Sequence, residues 1–167
     1  MSENTALDIL KNAILLERRG KAFYSKIAAE TDSDAVKQFF GMMADEEDTH
    51  IRILSDQYKA YHNNQKFRPG DYSGQHPVDV ASEILTREMK KQISAAEFEA
   101  AAISAAMALE KNAVRLYADR AEASEDPAEK ALYRWLADWE HQHLNFLADI
   151  DRQITESIWQ DNSFWPF

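Results

Sequence analysis

One pattern of acidic, histidine and tyrosine residues occurs twice in this chain, and its two copies align without a gap. Residues 13–54 match residues 106–147 at a constant offset of 93, with 12 of the 42 aligned positions identical. The repeated polar residues pair as Glu17 with Glu110, Tyr24 with Tyr117, Glu47 with Glu140, and His50 with His143. Because these positions are kept while most others differ, we expect two related halves built around one polar site.

Apolar residues recur three or four positions apart in four segments, which is the spacing of one face of an α-helix. The segments run from Leu10 to Ile27, from Phe40 to Tyr61, from Ile103 to Ala121 and from Leu132 to Ile154. Glycine and proline number only four each, and no proline falls inside a segment. The sequence therefore predicts an all-α fold with four long helices.

Residues that favour helix starts precede three of these segments. Asn4 or Thr5 could cap the first helix, a capping residue for the second lies in 32–34, and Pro127 suits the first turn of the fourth. The joins between helices one and two, and between three and four, are short. Each of these pairs is therefore predicted to form an antiparallel hairpin.

A longer connection, about 63–93, separates the two hairpins. Its turn-forming residues concentrate from Asn63 to Pro77, and its length allows helix three to run parallel to helix two. Val80, Ile84 and Met89 indicate a short amphipathic helix within this crossover. We expect it to pack on the bundle as a lid rather than lie on a membrane surface, because acidic residues offset its basic ones.

The length of 167 residues predicts one domain over 1–167, with halves at about 5–62 and 94–158. The aromatic segment 159–167 is expected to cap the bundle or to contact a second subunit. A formal charge of −10 opposes binding to nucleic acid or anionic membranes. With no targeting or membrane-spanning pattern and no cysteine, we expect a cytoplasmic protein without disulfides or thiolate metal sites.

The repeated residues have the spacing of a two-metal site. In each copy a lone glutamate is followed 30 residues later by Glu-x-x-His, and positions i and i+3 share one helix face. Four carboxylates balance two divalent ions, and an oxygen-rich set with one imidazole per ion suits iron or manganese and tolerates zinc. A single such motif usually marks a solvated face, whereas two matched copies are hard to obtain by accident. The predicted metal ligands are Glu17, Glu47, His50, Glu110, Glu140 and His143.

Two tyrosines and two small residues lie on the same faces. Tyr24 and Tyr117, two turns after the lone glutamates, could hydrogen-bond a ligand carboxylate or simply fill the core. Gly20 and Ala113 could leave room for peroxide or dioxygen, or allow close helix packing. Two further groups of residues are expected to face away from the site. They are the repeated aspartates Asp45 and Asp138, and the other histidines, His62, His76 and His141.

On these residues the chain resembles the ferritin-like superfamily and, within it, the rubrerythrins, over about residues 5–155. The elements that match are Glu17, Glu47 to His50, Glu110, and Glu140 to His143, with the two tyrosines. The resemblance implies a ferritin-like four-helix bundle with a non-haem di-iron centre. It also implies an oxidoreductase that reduces hydrogen peroxide, or that oxidises Fe(II) with dioxygen, and then takes electrons from a donor.

Two departures from the rubrerythrin pattern modify what the resemblance implies. Rubrerythrins usually carry a cysteine-rich rubredoxin domain, so this cysteine-free chain should need a separate donor such as a rubredoxin. They also tend to have a further glutamate where this chain has Ala113, so the centre should be more symmetric and closer to a ferroxidase. A homodimer is expected from the family.

Three other functions compete with this interpretation. The same ligands could serve a non-catalytic metal-binding or iron-handling protein. A hydroxylase resembling demethoxyubiquinone hydroxylase shares the doubled motif, but the charge and the weak crossover helix disfavour its membrane docking. A purely structural bundle would need no defined residue at the ligand positions.

Overall fold

The computed structural model describes residues 5–72 and 97–160, which form four long α-helices and contain no strand. The helices are α1 (Ala6–Glu30), α2 (Asp34–Asn64), α3 (Glu97–Ala123) and α4 (Pro127–Gln160). The predicted all-α four-helix fold is confirmed. The predicted crossover helix and His76 lie outside the described residues, and α4 extends two residues into the segment 159–167. Of the described helices, none has the length and apolar character required to cross a membrane.

The helix starts follow the capping residues in the sequence. The Thr5 hydroxyl accepts a hydrogen bond from a backbone N–H of the first turn of α1, and Ser33 does the same for α2. The Asp126 carboxylate accepts two such bonds at the start of α4, immediately before Pro127. Each oxygen satisfies a backbone donor that has no partner within its helix.

The four helices form two antiparallel hairpins. The short connection 31–33 joins α1 to α2, and 124–126 joins α3 to α4. Between the hairpins, Tyr24 contacts Glu110 while Tyr117 contacts Glu17, so α1 and α3 run in opposite directions. Because α1 is antiparallel to both α2 and α3, the latter two are parallel, as the long crossover predicted.

Apolar side chains form two separate clusters, one on each side of the middle of the bundle. The first lies near the α1–α2 turn and includes Tyr24, Ile27, Val36, Phe39, Phe40, Met43, Ile103, Leu147 and Ile150. The second lies toward the other end and includes Leu10, Leu54, Phe67, Tyr117, Leu132, Tyr133 and Leu136. Each fully buried side chain of this size contributes about 1.5–3 kcal/mol to folding. The two clusters hold the helices at a fixed spacing on either side of the polar middle.

The chain folds back on α2 and α4 immediately after α2 ends. Gln57 donates from Nε2 to the carbonyl of Arg68 at 2.8 Å and accepts from the N–H of Arg68 at 2.9 Å. Phe67 enters the second apolar cluster, and the ring of Tyr72 stacks on that of Trp135 at 5.2 Å. These contacts anchor the beginning of the crossover beside α4.

The two hairpins are closed near their turns by different interactions. In the second hairpin, buried Glu129 lies 2.6 Å from Nη2 of Arg120 and accepts a hydrogen bond from Ser124 at 2.7 Å. The positions equivalent to Arg120 and Glu129 in the first hairpin are Ile27 and Val36, which belong to the first apolar cluster. The repeat therefore keeps the helix geometry while exchanging an apolar contact for an ion pair.

Replacing Glu129 should destabilise the protein. Glu129→Ala leaves Arg120 and Ser124 without their acceptor, and we expect a loss of about 2 kcal/mol in the free energy of unfolding. For a chain of this size that corresponds to a melting temperature lower by roughly 6 °C, measurable by circular dichroism. Glu125→Ala removes an exposed carboxylate from the same turn and should change little. Equal losses in both variants would contradict this account.

Candidate metal centre

The structure brings all six predicted ligand residues together in the middle of the bundle. Glu17 comes from α1 and Glu110 from α3, and each is at most 3% exposed. The two Glu-x-x-His pairs come from α2 and α4, where the i, i+3 spacing aims both members inward. His50 and His143 are completely buried. Each helix therefore contributes to one enclosed polar cluster.

The cluster divides into two overlapping groups of four side chains that could each hold a metal ion. One group is Glu17, Glu47, His50 and Glu140, and the other is Glu47, Glu110, Glu140 and His143. Within each group, one ligand atom per residue lies within 4.8 Å of all the others. Glu47 and Glu140 belong to both groups, so these two carboxylates lie between the two positions.

Both histidines direct the same ring nitrogen at the carboxylates. Nδ1 of His50 lies 2.8 Å from Oε1 of Glu140 and 3.3 Å from Oε2 of Glu17. Nδ1 of His143 lies 3.0 Å from Oε2 of Glu140 and 3.8 Å from Oε1 of Glu110. The Nδ1 atoms are therefore the nitrogens placed to bind a metal, and Nε2 of each ring is left for other contacts.

The two tyrosines bond across the bundle in a reciprocal pair. The hydroxyl of Tyr24 donates to Oε1 of Glu110, and the hydroxyl of Tyr117 donates to Oε1 of Glu17. The offset of 93 residues that relates the two halves converts each of these bonds into the other. The sequence left two roles open for the tyrosines, and the structure shows the hydrogen-bonding one. Each tyrosine donates to the lone glutamate of the opposite hairpin.

Burial and mutual repulsion raise the pKa of two of these carboxyl groups. Burial, followed by repulsion from Glu140 and Glu17, raises the pKa of Glu47 well above its usual value. Burial also raises the pKa of Glu110 to about 8, with Glu140 adding to the effect. Three or more negative charges cannot stay so close together in an apolar surrounding without compensation.

Glu140 differs because it lies between the two histidines. Burial alone would raise its pKa, but attraction to His50 and His143 lowers it well below the usual range. The two histidines respond in the opposite direction: burial lowers their pKa, and the surrounding carboxylates outweigh it and raise it. Without metal, the cluster is thus held together by protons shared among its acids and imidazoles.

The donor set fits a metal ion better than it fits this proton-bound arrangement. Oε1 of Glu140 is buried without a hydrogen-bond partner in the described part of the chain, although Nδ1 of His50 is close to it. Four carboxylates and two imidazoles offer the oxygen-rich coordination, with one nitrogen per ion, that iron and manganese accept. A buried acceptor aimed into the cluster is the arrangement that a bound cation would satisfy.

Sequence reasoning missed Glu46. Its Oε2 contacts Nε2 of His143 and lies 3.4 Å from the indole nitrogen of Trp139. Glu46 is not part of the repeated pattern, because Trp139 occupies the equivalent position in the second half. The only signal in the sequence was this loss of an acidic residue between the two copies.

A small cavity lies against the cluster between α1 and α3. Its volume is about 10 Å³, room for roughly one water-sized molecule. Its lining includes Leu16 and Leu109, which are equivalent in the repeat, together with Gly20 and Ala113. A Cβ on Gly20 would lie 3.6 Å from Cδ of Glu47, an ordinary contact, so close packing alone does not require glycine.

The residues expected to face away from the site do so where the structure describes them. Asp45, Asp138, His62 and His141 are exposed. None of them therefore belongs to the cluster.

Comparison with known proteins identifies the family. A family model described as Rubrerythrin matches residues 8–150, which is most of the chain. Comparison with curated proteins and with solved structures gives no match. The family model confirms the resemblance seen in the sequence and, with the buried Glu/His cluster, indicates a metal site.

Removing either tyrosine hydroxyl should destabilise the metal-free protein to a similar extent. Tyr24→Phe and Tyr117→Phe each leave a buried carboxyl oxygen without its donor, which costs about 1–2 kcal/mol in urea denaturation. Tyr133→Phe is the matched control, since the buried Tyr133 hydroxyl has no hydrogen-bond partner within the described residues. That variant should lose less than about 0.5 kcal/mol. A loss at Tyr133 as large as at the other two would refute the reciprocal bonding.

The metal-free protein should become less stable as the pH rises from about 5 to 8. Glu110 is protonated in the folded protein up to a pKa of about 8, whereas its unfolded value is 4.5. Its stabilising contribution is complete below 4.5 and falls by about 1.4 kcal/mol per pH unit as the pH rises toward 8. Glu47 and both histidines, whose pKa values are also raised, act in the same direction.

Melting curves in the presence of a chelator would measure this effect. We expect the melting temperature to fall by roughly 10 °C over this pH range, and Glu110→Gln, whose amide cannot titrate, to flatten the dependence. A melting temperature that rises with pH in the unsubstituted protein would show that the carboxyls are not protonated in the fold.

Proposed function

We propose that this chain, which belongs to the rubrerythrin family, is a non-haem di-iron oxidoreductase. It would reduce hydrogen peroxide to water, or oxidise Fe(II) with dioxygen. The observation that carries the proposal is the pair of overlapping four-residue groups that share Glu47 and Glu140. Two positions with common carboxylates are suited to two ions held close together.

We propose a role for each residue from the group or groups to which it belongs. Glu47 and Glu140 would bridge the two ions, because they alone belong to both groups. Glu17 and His50 would complete one position, and Glu110 and His143 the other. Four ionised carboxylates then balance the charge of two divalent ions in a buried site. Iron is proposed as the native metal, and manganese or zinc could occupy the same donors.

A pair of Fe(II) ions supplies two electrons, which with two protons convert one hydrogen peroxide molecule to two of water. The protein's own groups prepare the site for this chemistry. Tyr24 and Tyr117 orient the lone carboxylates by hydrogen bonding. The apolar clusters on both sides keep bulk water out, and the cavity beside Gly20 and Ala113 marks the side from which a small oxidant would approach.

Ala113 bears on which oxidant is used. A carboxylate at this position would add a ligand to one side of the centre only, whereas alanine leaves one lone glutamate on each of α1 and α3. The proposed centre is therefore symmetric in its six ligands, which favours dioxygen and a ferroxidase-type reaction over efficient peroxide reduction. Both oxidants belong in the test.

Partners and location are part of the same proposal. With no cysteine in this chain, electrons would come from a separate protein such as a rubredoxin. The charge of −10 argues against nucleic acid and anionic membranes as partners. We propose a cytoplasmic homodimer, following the family.

Iron loading followed by oxidation tests the function. We expect metal-free protein given Fe(II) without oxygen to bind two irons per chain, measured by iron analysis after desalting. Stopped-flow absorption after mixing with peroxide or dioxygen should then show the appearance of ferric iron, and the faster oxidant identifies the activity. Two bound irons that neither oxidant changes would instead establish a non-catalytic iron-handling protein.

Ligand variants provide the control for the loading experiment. Glu47→Ala and Glu140→Ala each remove a bridging carboxylate and should reduce binding to one iron or fewer. Asp45→Ala and Asp138→Ala remove exposed carboxylates two residues before Glu47 and Glu140, at positions that also repeat, and should still bind two. Iron binding that is the same in all four variants would place the metal elsewhere.

A further inference from the structure

We propose that Glu46 is a positioning residue that makes the two metal positions unequal, so that the His143 position fills first and holds its ion more tightly. This inference rests on the proposed two-metal centre and concerns a residue outside its six ligands. It is carried by a difference between the contacts of the two histidines.

The difference originates at one position of the repeat. Glu46 of α2 corresponds to Trp139 of α4, and both lie next to the bridging glutamate of their helix. The six ligands and the two tyrosines are all matched by the repeat. At position 46 and its equivalent, one half has an anionic acceptor and the other a large indole that can only donate.

His143 has a carboxylate on the nitrogen opposite its metal-binding face. Its Nδ1 faces Glu140 and Glu110, while its Nε2 contacts Oε2 of Glu46. The indole nitrogen of Trp139 lies 3.4 Å from the same oxygen and donates to it. It also donates to Nε2 of His143 at 3.2 Å, so the indole N–H is shared between this nitrogen and the carboxylate. Glu46 therefore fixes the ring from its far side and cannot bind the ion that Nδ1 faces.

His50 has no such support. Its Nε2 is buried and has no hydrogen-bond partner among residues 5–72 and 97–160. Its ring instead packs edge-to-face against Trp139 at 5.1 Å and against Trp135 at 5.7 Å. The indole that replaces a glutamate in the second half thus fills the space beside His50 without supplying an acceptor.

A carboxylate on the outer nitrogen of a metal-binding histidine fixes the tautomer and orientation of the ring. Such outer contacts are worth roughly 10–100-fold in metal affinity. When Nδ1 of His143 binds an ion, the remaining proton of the ring lies on Nε2, where Glu46 accepts it. His50 must select that tautomer without help. With the remaining ligands matched by the repeat, the histidines decide which position binds first.

Calorimetric titration of the full-length, metal-free protein with Co(II) under nitrogen tests this order. We expect two binding steps per chain, the first tighter by roughly 10–100-fold. Glu46→Gln keeps the shape of the side chain but weakens the acceptor, and should bring the two steps together by weakening the first. Asp45→Asn makes the same change of charge on the adjacent exposed residue and should leave both steps unchanged.

Imidazole NMR with one equivalent of Zn(II) identifies the position that fills. The His143 ring should respond first and show a slowly exchanging Nε2 proton, whose exchange Glu46→Gln should accelerate. Three results would each overturn this inference and leave the two-metal centre standing. They are two equal binding steps, a first response at His50, and equal effects of Glu46→Gln and Asp45→Asn on both steps. Binding of a single ion at saturation would overturn the two-metal centre and this inference together.

Discussion

The mutual repulsion of four buried carboxylates is the constraint on which the rest of this structure depends. Glu17, Glu47, Glu110 and Glu140 meet where no bulk water can screen them, between two apolar clusters that hold the helices apart. In the absence of metal, protons and the two imidazoles compensate for this charge. A cation would replace protons that the fold already has to hold, so metal binding and stability are linked through the same groups.

Contacts between the two hairpins help to stabilise these buried carboxyl groups. Each lone glutamate accepts a hydrogen bond from a tyrosine of the other hairpin. These bonds stabilise the acids and also link the two hairpins, which repulsion between the acids would otherwise push apart. Elsewhere the halves have diverged where the cluster imposes no requirement. The Arg120–Glu129 ion pair occupies the place of two apolar residues, and an indole occupies that of Glu46.

The parts of this structure that depend on local periodicity could be predicted from the sequence. Spacing of three and four residues predicted the helices, and the i, i+3 relation predicted that Glu47 and His50 face one point. The crosswise bonds of Tyr24 and Tyr117 could not be predicted, because they depend on how α1 and α3 face each other. Glu46 was missed for a related reason: its contact to His143 joins different helices at a position where the two halves do not match.

The cluster is, in physical terms, an interface between two similar pieces of chain. Within the described residues, the six acids and imidazoles and both tyrosines of this cluster lie on the four helices. A single hairpin provides half of the site, with one lone glutamate and one Glu-x-x-His. Its tyrosine donates to the lone glutamate of the other hairpin. Two separate hairpins that associate would assemble the same set of groups, and an ancestral hairpin that paired with its own copy would already have possessed a complete site before the two were joined.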